Sequence, residues 1–215
     1  MKRWIGGAVF SILSILSIFL GFFEYLCVLF IIIGLYEIFQ MGKLKKSVYL
    51  YFYMVLYIFG VVSLLLIYQM EPLFIAILVG GIMLNDSFAY FTGKAIGRTP
   101  FSKISPNKTL EGVLGGIFFG TIIMCVLVQW FMPFLIQILP SLEVDGFGVN
   151  LNLVVALVIA FSFGTLGDLA ESKLKRITGV KDSGTIVYGH GGILDRIDSW
   201  VVAAIPIFIL LQIFN

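Results

Sequence analysis

The chain has few charged residues for its length. Of its 215 residues, 12% are charged and 60% are hydrophobic, whereas soluble domains carry roughly 25% charged residues. This composition excludes a soluble fold. The chain also has a single histidine and two cysteines, and both Cys27 and Cys125 lie inside apolar runs. We therefore do not expect a disulfide framework or a zinc site.

What the chain has instead is a series of long apolar runs. A membrane crossing needs ~20 apolar residues, and we expect an all-α integral membrane protein, a polytopic helical bundle that forms a single domain over residues 1–215. Met1-Lys2-Arg3 before an apolar run imitates a signal peptide, but the run continues to Gly21 without a cleavage pattern, so we expect an uncleaved first span. The seven predicted spans are residues 4–20, 23–40, 47–68, 73–95, 113–139, 151–172 and 199–215.

The cations predict the orientation of these spans. If the seven spans alternate in direction, all 14 Lys and Arg residues fall on one side of the membrane. The positive-inside rule then places the N-terminus in the cytoplasm and the C-terminus outside. Two polar segments that are too polar to span, residues 96–112 and 173–198, also face the cytoplasm. We expect these two segments to form the active site.

Residues 168–198 form an island of charge in this apolar chain. The island holds ten charged side chains and His190, the single histidine. Ionisable groups near a bilayer are costly and usually functional. A lone histidine in a loop is most often a hydrogen-bonding residue, and a general base is the less common interpretation. The glycines beside His190 favour close approach of the backbone to a ligand such as a phosphate.

The acids of the island are spaced so that they share helix faces. Asp168 and Glu171 are three residues apart, and so are Asp195 and Asp198, which makes each pair neighbours on a helix. Two ionised carboxylates this close repel each other unless a cation lies between them. Mg²⁺ accepts carboxylate and phosphate oxygens in octahedral geometry. The alternative is that Lys175 and Arg196 pair with these acids structurally, and the spacing does not decide between the two.

Two further positions upstream are candidates for the same site. Lys108 follows a Ser105-Pro106 turn and precedes a predicted helix, where anions are favoured. The alternative is that this segment is a solvated connector. Asp86 lies inside the fourth span, where a charge is expensive, so we expect it to face the protein interior.

Three motif blocks resemble a known family. They resemble the signature of the phosphatidate cytidylyltransferases, also called CDP-diacylglycerol synthases, over residues 85–199 and more loosely over the hairpin that ends in Gly34-Leu35-Tyr36-Glu37. Tyr188 departs from the family, which usually has proline there, and Leu110 stands where it often has tryptophan. The blocks are Asn85-Asp86-Ser87-Phe88-Ala89-Tyr90-Phe91 with Gly93; Ser105-Pro106-Asn107-Lys108-Thr109-Leu110-Glu111-Gly112; and Ser172-x-x-Lys175-Arg176, Lys181-Asp182-x-Gly184 and Gly189-His190-Gly191-Gly192-x-x-Asp195-Arg196-x-Asp198.

The resemblance implies transfer of a cytidylyl group from CTP to phosphatidate, which gives CDP-diacylglycerol and pyrophosphate for phospholipid biosynthesis. It implies a homodimer in the bacterial cytoplasmic membrane, with the active site facing the cytoplasm. Asp168, Asp195 and Asp198 are the expected Mg²⁺ ligands and catalytic residues together with Lys175, and the sequence leaves open whether a monovalent cation assists. The expected substrate-binding residues are Asp86, Lys108, Arg176, Lys181, Asp182, His190 and Arg196.

Other functions remain open at this point. One alternative is a CTP-dependent transferase or kinase that acts on another lipid. A cation transporter is a further alternative, although the polar groups gather at one interface instead of lining a path across the membrane. We expect no nucleic-acid binding, because the basic residues lack interleaved aromatic residues.

Overall fold

The computed structural model describes residues 2–138, 149–184 and 191–214, which form helices and their connecting segments. The described ranges contain no β-strand, and an isolated β-bridge joins Pro100 and Thr109. The predicted all-α fold is therefore confirmed. The seven helices are α1 (Lys2–Phe19), α2 (Phe23–Leu44), α3 (Val48–Met70), α4 (Pro72–Ile96), α5 (Leu110–Ile138), α6 (Leu151–Thr178) and α7 (Leu194–Phe214).

Six of the helices, α2 to α7, are long and apolar enough to cross a membrane. In α5 and α7 the stretch that meets this condition is Leu110–Phe131 and Leu194–Ile213, respectively. Helix α1 covers the first predicted span. The prediction of a polytopic helical membrane protein is confirmed, and each predicted span has its helix.

The helices continue further into the polar segments than the predicted spans do. Helix α6 runs to Thr178 instead of residue 172, and α7 begins at Leu194 instead of residue 199. Gly179 ends α6, because its left-handed backbone, at φ 77°, suits glycine and closes the last turn. Asp195 and Asp198, which were predicted to lie in the 173–198 segment, therefore project from α7, where their spacing is fixed.

Glycines bring the helices around the charged island close together. Gly112, Gly116 and Gly120 are four residues apart on α5 and face α4, and a Cβ at Gly116 would lie 2.7 Å from the carbonyl oxygen of Asn85. A Cβ at Gly167 on α6 would lie 2.6 Å from the carbonyl oxygen of Asp198 on α7. Small residues at such positions let membrane helices approach closely. The close approach joins α4 to α5 and α6 to α7 near their polar ends.

Helix α7 lies inside the bundle, between α3 and α6. Its residues Leu194, Ile197 and Ala203 have no exposed surface. The Tyr49 hydroxyl on α3 donates a hydrogen bond of 3.0 Å to the carbonyl of Ala170 on α6. This bond ties α3 to α6 between Asp168 and Glu171.

Candidate active site

Three carboxylates from two helices meet at the polar end of the bundle. Asp168 and Glu171 come from α6 and Asp198 from α7, and each offers one oxygen that lies within 4.8 Å of those of the other two. We call these three residues the carboxylate cluster. Glu171 is fully buried and Asp198 is 7% exposed, so water screens their repulsion poorly.

Glu171, the most deeply buried member of the cluster, has an ion pair on one oxygen and no partner among the described residues on the other. Neither oxygen of Glu171 accepts a well-oriented hydrogen bond from the described residues. Lys175, one turn further along α6, forms an ion pair with Oε2 at 2.5 Å. Buried carboxylates are normally satisfied by hydrogen bonds or coordinate a metal. The cluster has the donor set and the burial that suit a divalent cation, and Glu171 Oε1 has no partner among the described residues.

Asp195 has different partners from the cluster. Its Oδ1 accepts a hydrogen bond of 2.6 Å from Lys175 Nζ. Its Oδ2 accepts three bonds of 2.9 Å, from the backbone N–H and the hydroxyl of Ser183 and from the N–H of Gly192. The carboxylate thus joins α7 to Lys175 and to the loop before α7. The metal-ligand role expected of Asp195 stays a prediction, and Glu171 takes its place in the group that the structure brings together.

Glu171 is one of the island acids that could hold a divalent cation, but it was not among the Mg²⁺ ligands expected from the sequence. Its three-residue spacing from Asp168 placed both acids on one helix face. The spacing could not show which acid of α7 faces Asp168 and Glu171, because that depends on how α7 is rotated against α6.

The segment between α4 and α5 reaches the carboxylate cluster through Lys108. Its ammonium group forms an ion pair with Asp168 Oδ2, with both side chains about one-third exposed. The segment folds back on itself: Phe101 N–H donates to the Lys108 carbonyl at 2.8 Å and Leu110 N–H to the Thr99 carbonyl at 2.9 Å. The Lys108 side chain is therefore held against the polar end of α6, beside the carboxylate cluster.

Glu111 stabilises this folded segment. Its carboxylate accepts hydrogen bonds from the N–H of Arg98 at 3.1 Å and from the hydroxyl of Thr99 at 2.8 Å. The acid lies in the first turn of α5, where negative charge is favoured by the helix dipole.

A cavity of about 400 Å³ opens beside the Lys108–Asp168 pair. Helices α4, α5 and α6 and the α4–α5 segment line it, and Asp86 contributes an exposed carboxylate to its wall. The neighbouring Asn85 is buried and lies 3.4 Å from Asp86 Oδ1. The expectation that Asp86 faces a protein-lined space agrees with this position. Other polar residues on the wall are Tyr90, Lys94, Asn107, Thr109 and Thr165.

The remaining predicted site residues lie around this centre. Arg176, Lys181 and Asp182 are exposed near the end of α6 and the loop after it, and Arg196 is half-buried on α7. His190 lies outside the described residues. The roles expected of these five residues in binding substrate stay predictions.

Comparison with known proteins decides the family. A model of the cytidylyltransferase family matches residues 48–214, which include every helix that supplies the carboxylate cluster and the cavity. The chain belongs to this family. The resemblance inferred from the motif blocks between residues 85 and 199 is confirmed, because all three blocks lie inside the matched range.

Several bacterial proteins are similar to this chain. The chain is similar to a phosphatidate cytidylyltransferase of Aquifex aeolicus (strain VF5), with 35% identity over 178 residues, or 82% of this chain and 60% of that protein. It is 43% identical to that of Bacillus subtilis (strain 168) over 132 residues, or 61% of this chain and 44% of the relative. For the Thermotoga maritima protein the identity is 44% over 131 residues, or 60% and 46%. The matches thus span about half the length of these relatives.

Proposed function

We propose that this protein transfers a cytidylyl group from CTP to phosphatidate, giving CDP-diacylglycerol and pyrophosphate. The observation that carries the proposal is the ion pair between Lys108 and Asp168. It joins a cation of the α4–α5 segment to the carboxylate cluster at the edge of the cavity. Phosphoryl-type transfer depends on positioning and charge neutralisation, and this arrangement supplies both signs of charge next to a space for the reacting groups.

The proposed reaction requires no covalent bond between the protein and either substrate. A phosphate oxygen of phosphatidate attacks the α-phosphorus of CTP, and the bond from that phosphorus to the oxygen bridging to the β-phosphate breaks, which releases pyrophosphate. The attacking oxygen is already ionised, so no strong general base is required. This supports a binding role for His190 over a role as a base.

Cationic side chains have distinct tasks in this proposal. Lys108 stands at the cavity and contacts phosphate oxygens in exchange for part of its pairing with Asp168. Lys175 is held between Glu171 and Asp195 and keeps these acids in place. Arg176, Lys181 and Arg196 hold the leaving pyrophosphate and the phosphatidate headgroup.

We further propose that the carboxylate cluster of Asp168, Glu171 and Asp198 holds Mg²⁺. Three oxygens within 4.8 Å of one another and the buried Glu171 Oε1, which has no partner among the described residues, support this assignment. When bound, Mg²⁺ would neutralise charge that develops on the transferred phosphoryl group and on the leaving pyrophosphate. In this assignment Asp195 acts through Lys175 and not as a ligand.

The active site would face the cytoplasm, where CTP is supplied, in a bacterial cytoplasmic membrane. Lipid tails would enter sideways between the helices while the headgroup reaches the cavity. The homodimer that the family resemblance implies belongs to the same proposal, and crosslinking in membranes tests it.

The direct test uses the purified protein with Mg²⁺, phosphatidate and CTP labelled at either the α- or the γ-phosphate. We expect label in the lipid phase from α-labelled CTP and none from γ-labelled CTP. The reverse result would identify a CTP-dependent kinase. Label in neither case, with a folded protein, would contradict the proposed function.

A further inference from the structure

We infer that Glu37 is a positioning residue for the proposed reaction: its buried carboxylate, supplied by α2, fixes the start of α7 and thereby the placement of Asp195 and Asp198. The inference rests on the proposed function, because it matters for catalysis only if the carboxylate cluster does. Glu37 does not line the cavity beside Lys108, so it acts through other residues.

The contacts of Glu37 cap a helix that is remote in sequence. Its Oε1 accepts the N–H of Ile193 at 3.0 Å, and its Oε2 accepts the N–H of Leu194 at 3.0 Å. The first N–H groups of a helix have no partner within the helix. A carboxylate there satisfies them and also complements the positive end of the helix dipole. Helix α7 therefore begins where α2 supplies an acceptor.

The loop before α7 is shaped around this carboxylate. A Cβ at Gly184 would lie 2.5 Å from Glu37 Oε1, and a Cβ at Gly192 would lie 2.5 Å from Glu37 Oε2. Both distances are too short for a real side chain. Glycines at these two positions let the backbone at Gly184 and Gly192 approach the Glu37 carboxylate closely.

Burying the ionisable side chain of Glu37 in an apolar helix costs free energy, which suggests that the residue serves a function. The residue is 2% exposed and lies on a helix that is long and apolar enough to cross a membrane. Its carboxylate accepts hydrogen bonds from neutral donors, namely the N–H groups of Ile193 and Leu194 and the hydroxyl of Ser183. Ionisable groups at such positions are rare and usually functional.

A chain of contacts leads from Glu37 to the carboxylate cluster. Ser183 Oγ lies 3.1 Å from Glu37 Oε2 and 2.9 Å from Asp195 Oδ2. Asp195 in turn holds Lys175, which pairs with Glu171 of the cluster. Asp198 follows one turn later on α7. A shift at the start of α7 would therefore move two of the acids and loosen the lysine between them.

The test compares Glu37→Gln with Glu24→Gln in the purified, full-length protein. Glu24 lies on the same helix but is exposed at its other end, so it controls for the chemical change alone. Glutamine at position 37 keeps the length of the side chain but places an amide N–H against one of the α7 N–H groups. Three readouts are needed: hydrogen exchange of peptides that cover residues 191–197, Mn²⁺ binding measured by electron paramagnetic resonance, and steady-state cytidylyl transfer per folded molecule.

We expect faster exchange at residues 193–194 in Glu37→Gln, whereas exchange in α3 and all readouts of Glu24→Gln stay as in the wild type. We expect weaker Mn²⁺ binding and a lower kcat, each by about 10–100-fold as for other residues that support metal ligands, with little change in the KM for CTP. Glu37→Asp keeps the charge and should recover part of both losses. If Glu37→Gln fails to fold, Ser183→Ala tests the link from Glu37 to Asp195 and should show the same losses to a smaller degree.

A merely structural Glu37 gives a different result. In that case the variant melts earlier, while Mn²⁺ affinity and kcat per folded molecule match the wild type, and the inference is overturned. Unchanged exchange at residues 193–194 would overturn it as well. If the wild type transfers no cytidylyl group, the proposed function fails, but faster exchange with weaker Mn²⁺ binding in Glu37→Gln still supports the positioning role.

Discussion

Asp195 and Asp198 stand one turn apart on α7, yet their surroundings differ. Asp195 accepts four hydrogen bonds, one from Lys175 and three from Ser183 and Gly192. Asp198 faces the other two acids of the carboxylate cluster. At the scale of single residues, the structure therefore separates an acid that organises the site from acids that are suited to hold a cation.

This difference can be measured by comparing Asp195→Asn with Glu171→Gln. Asparagine at position 195 weakens the bond to Lys175 and leaves a donor against loop N–H groups, so it should destabilise the fold by about 1–3 kcal/mol. Glutamine at position 171 removes one of three repelling charges and also one ion pair of Lys175, which keeps Asp195 as its partner, so the metal-free fold should stay about as stable. The measurement is thermal unfolding in detergent with and without Mg²⁺, together with cytidylyl transfer.

The response to Mg²⁺ is the deciding quantity in this comparison. A cation that binds only the folded state stabilises it by roughly 2.7 kcal/mol at a hundredfold excess over its Kd. Asp195→Asn should keep this stabilisation, whereas Glu171→Gln should lose it along with most of the activity. A stable, inactive Asp195→Asn protein that no longer responds to Mg²⁺ would instead restore Asp195 as a ligand.

Lys108 offers a second prediction for a single residue. In Lys108→Ala the cavity loses a cation, so we expect the KM for CTP or phosphatidate to rise on the order of tenfold to a hundredfold, as for a lost charge-assisted hydrogen bond of about 1.5–3 kcal/mol. Stability should change little, because the ion pair with Asp168 is partly exposed. Lys103→Ala, an exposed lysine of the same segment, is the matched control. Wild-type kinetics in Lys108→Ala would mean that the segment is a connector.

At the scale of helices, the local sequence predicted where the helices lie but misplaced the start of α7. Apolar runs located all the helices, and three-residue spacing placed Asp168 beside Glu171. The start of α7 was placed five residues too late, because the residue that caps it, Glu37, lies 156 residues before Ile193 in the chain. Such a contact depends on the packing of α2 against the loop, and no local pattern encodes it. Whether Asp195 or Asp198 joins the cluster depends on how α7 is rotated against α6, which no local pattern encodes either.

The contact of α4 with α5 gives a prediction about packing. A Cβ at Gly116 would lie 2.7 Å from the Asn85 carbonyl and 2.8 Å from Ala89 Cβ, so Gly116→Ala must push the helices apart. We expect a loss of stability of about 1–3 kcal/mol, as for other overpacked sites. We also expect reduced activity, because Asn85 adjoins Asp86 at the cavity. Thermal unfolding and transfer rates measure both effects.

Gly80→Ala is the control for that prediction, since its Cβ would meet nothing closer than 4.0 Å. Alanine is the better helix former by roughly 0.5–1 kcal/mol. Gly80→Ala should therefore be neutral or mildly stabilising. Equal behaviour of the two variants would mean that the glycines of α5 do not set the distance between α4 and α5.

At the scale of the whole molecule, the positive charges distinguish one end of the helical bundle from the other. The two ends of the bundle differ: the connections at 45–47, 97–109 and 179–193 adjoin the lysines and arginines, and the other connections do not. The carboxylate cluster and the cavity lie at the cation-rich end. If the positive-inside rule holds, this end faces the cytoplasm and its supply of CTP.

The orientation can be tested with single cysteines in a variant whose Cys27 and Cys125 are replaced by serine. Lys103→Cys and Asn152→Cys place exposed thiols next to opposite ends of the bundle. In intact cells, a membrane-impermeant maleimide should label Asn152→Cys and leave Lys103→Cys unlabelled until the cells are opened. Protection of Asn152→Cys together with labelling of Lys103→Cys would invert the topology. That outcome would also place the carboxylate cluster on the side of the membrane away from cytoplasmic CTP. It would therefore contradict the proposed function as well as the proposed orientation.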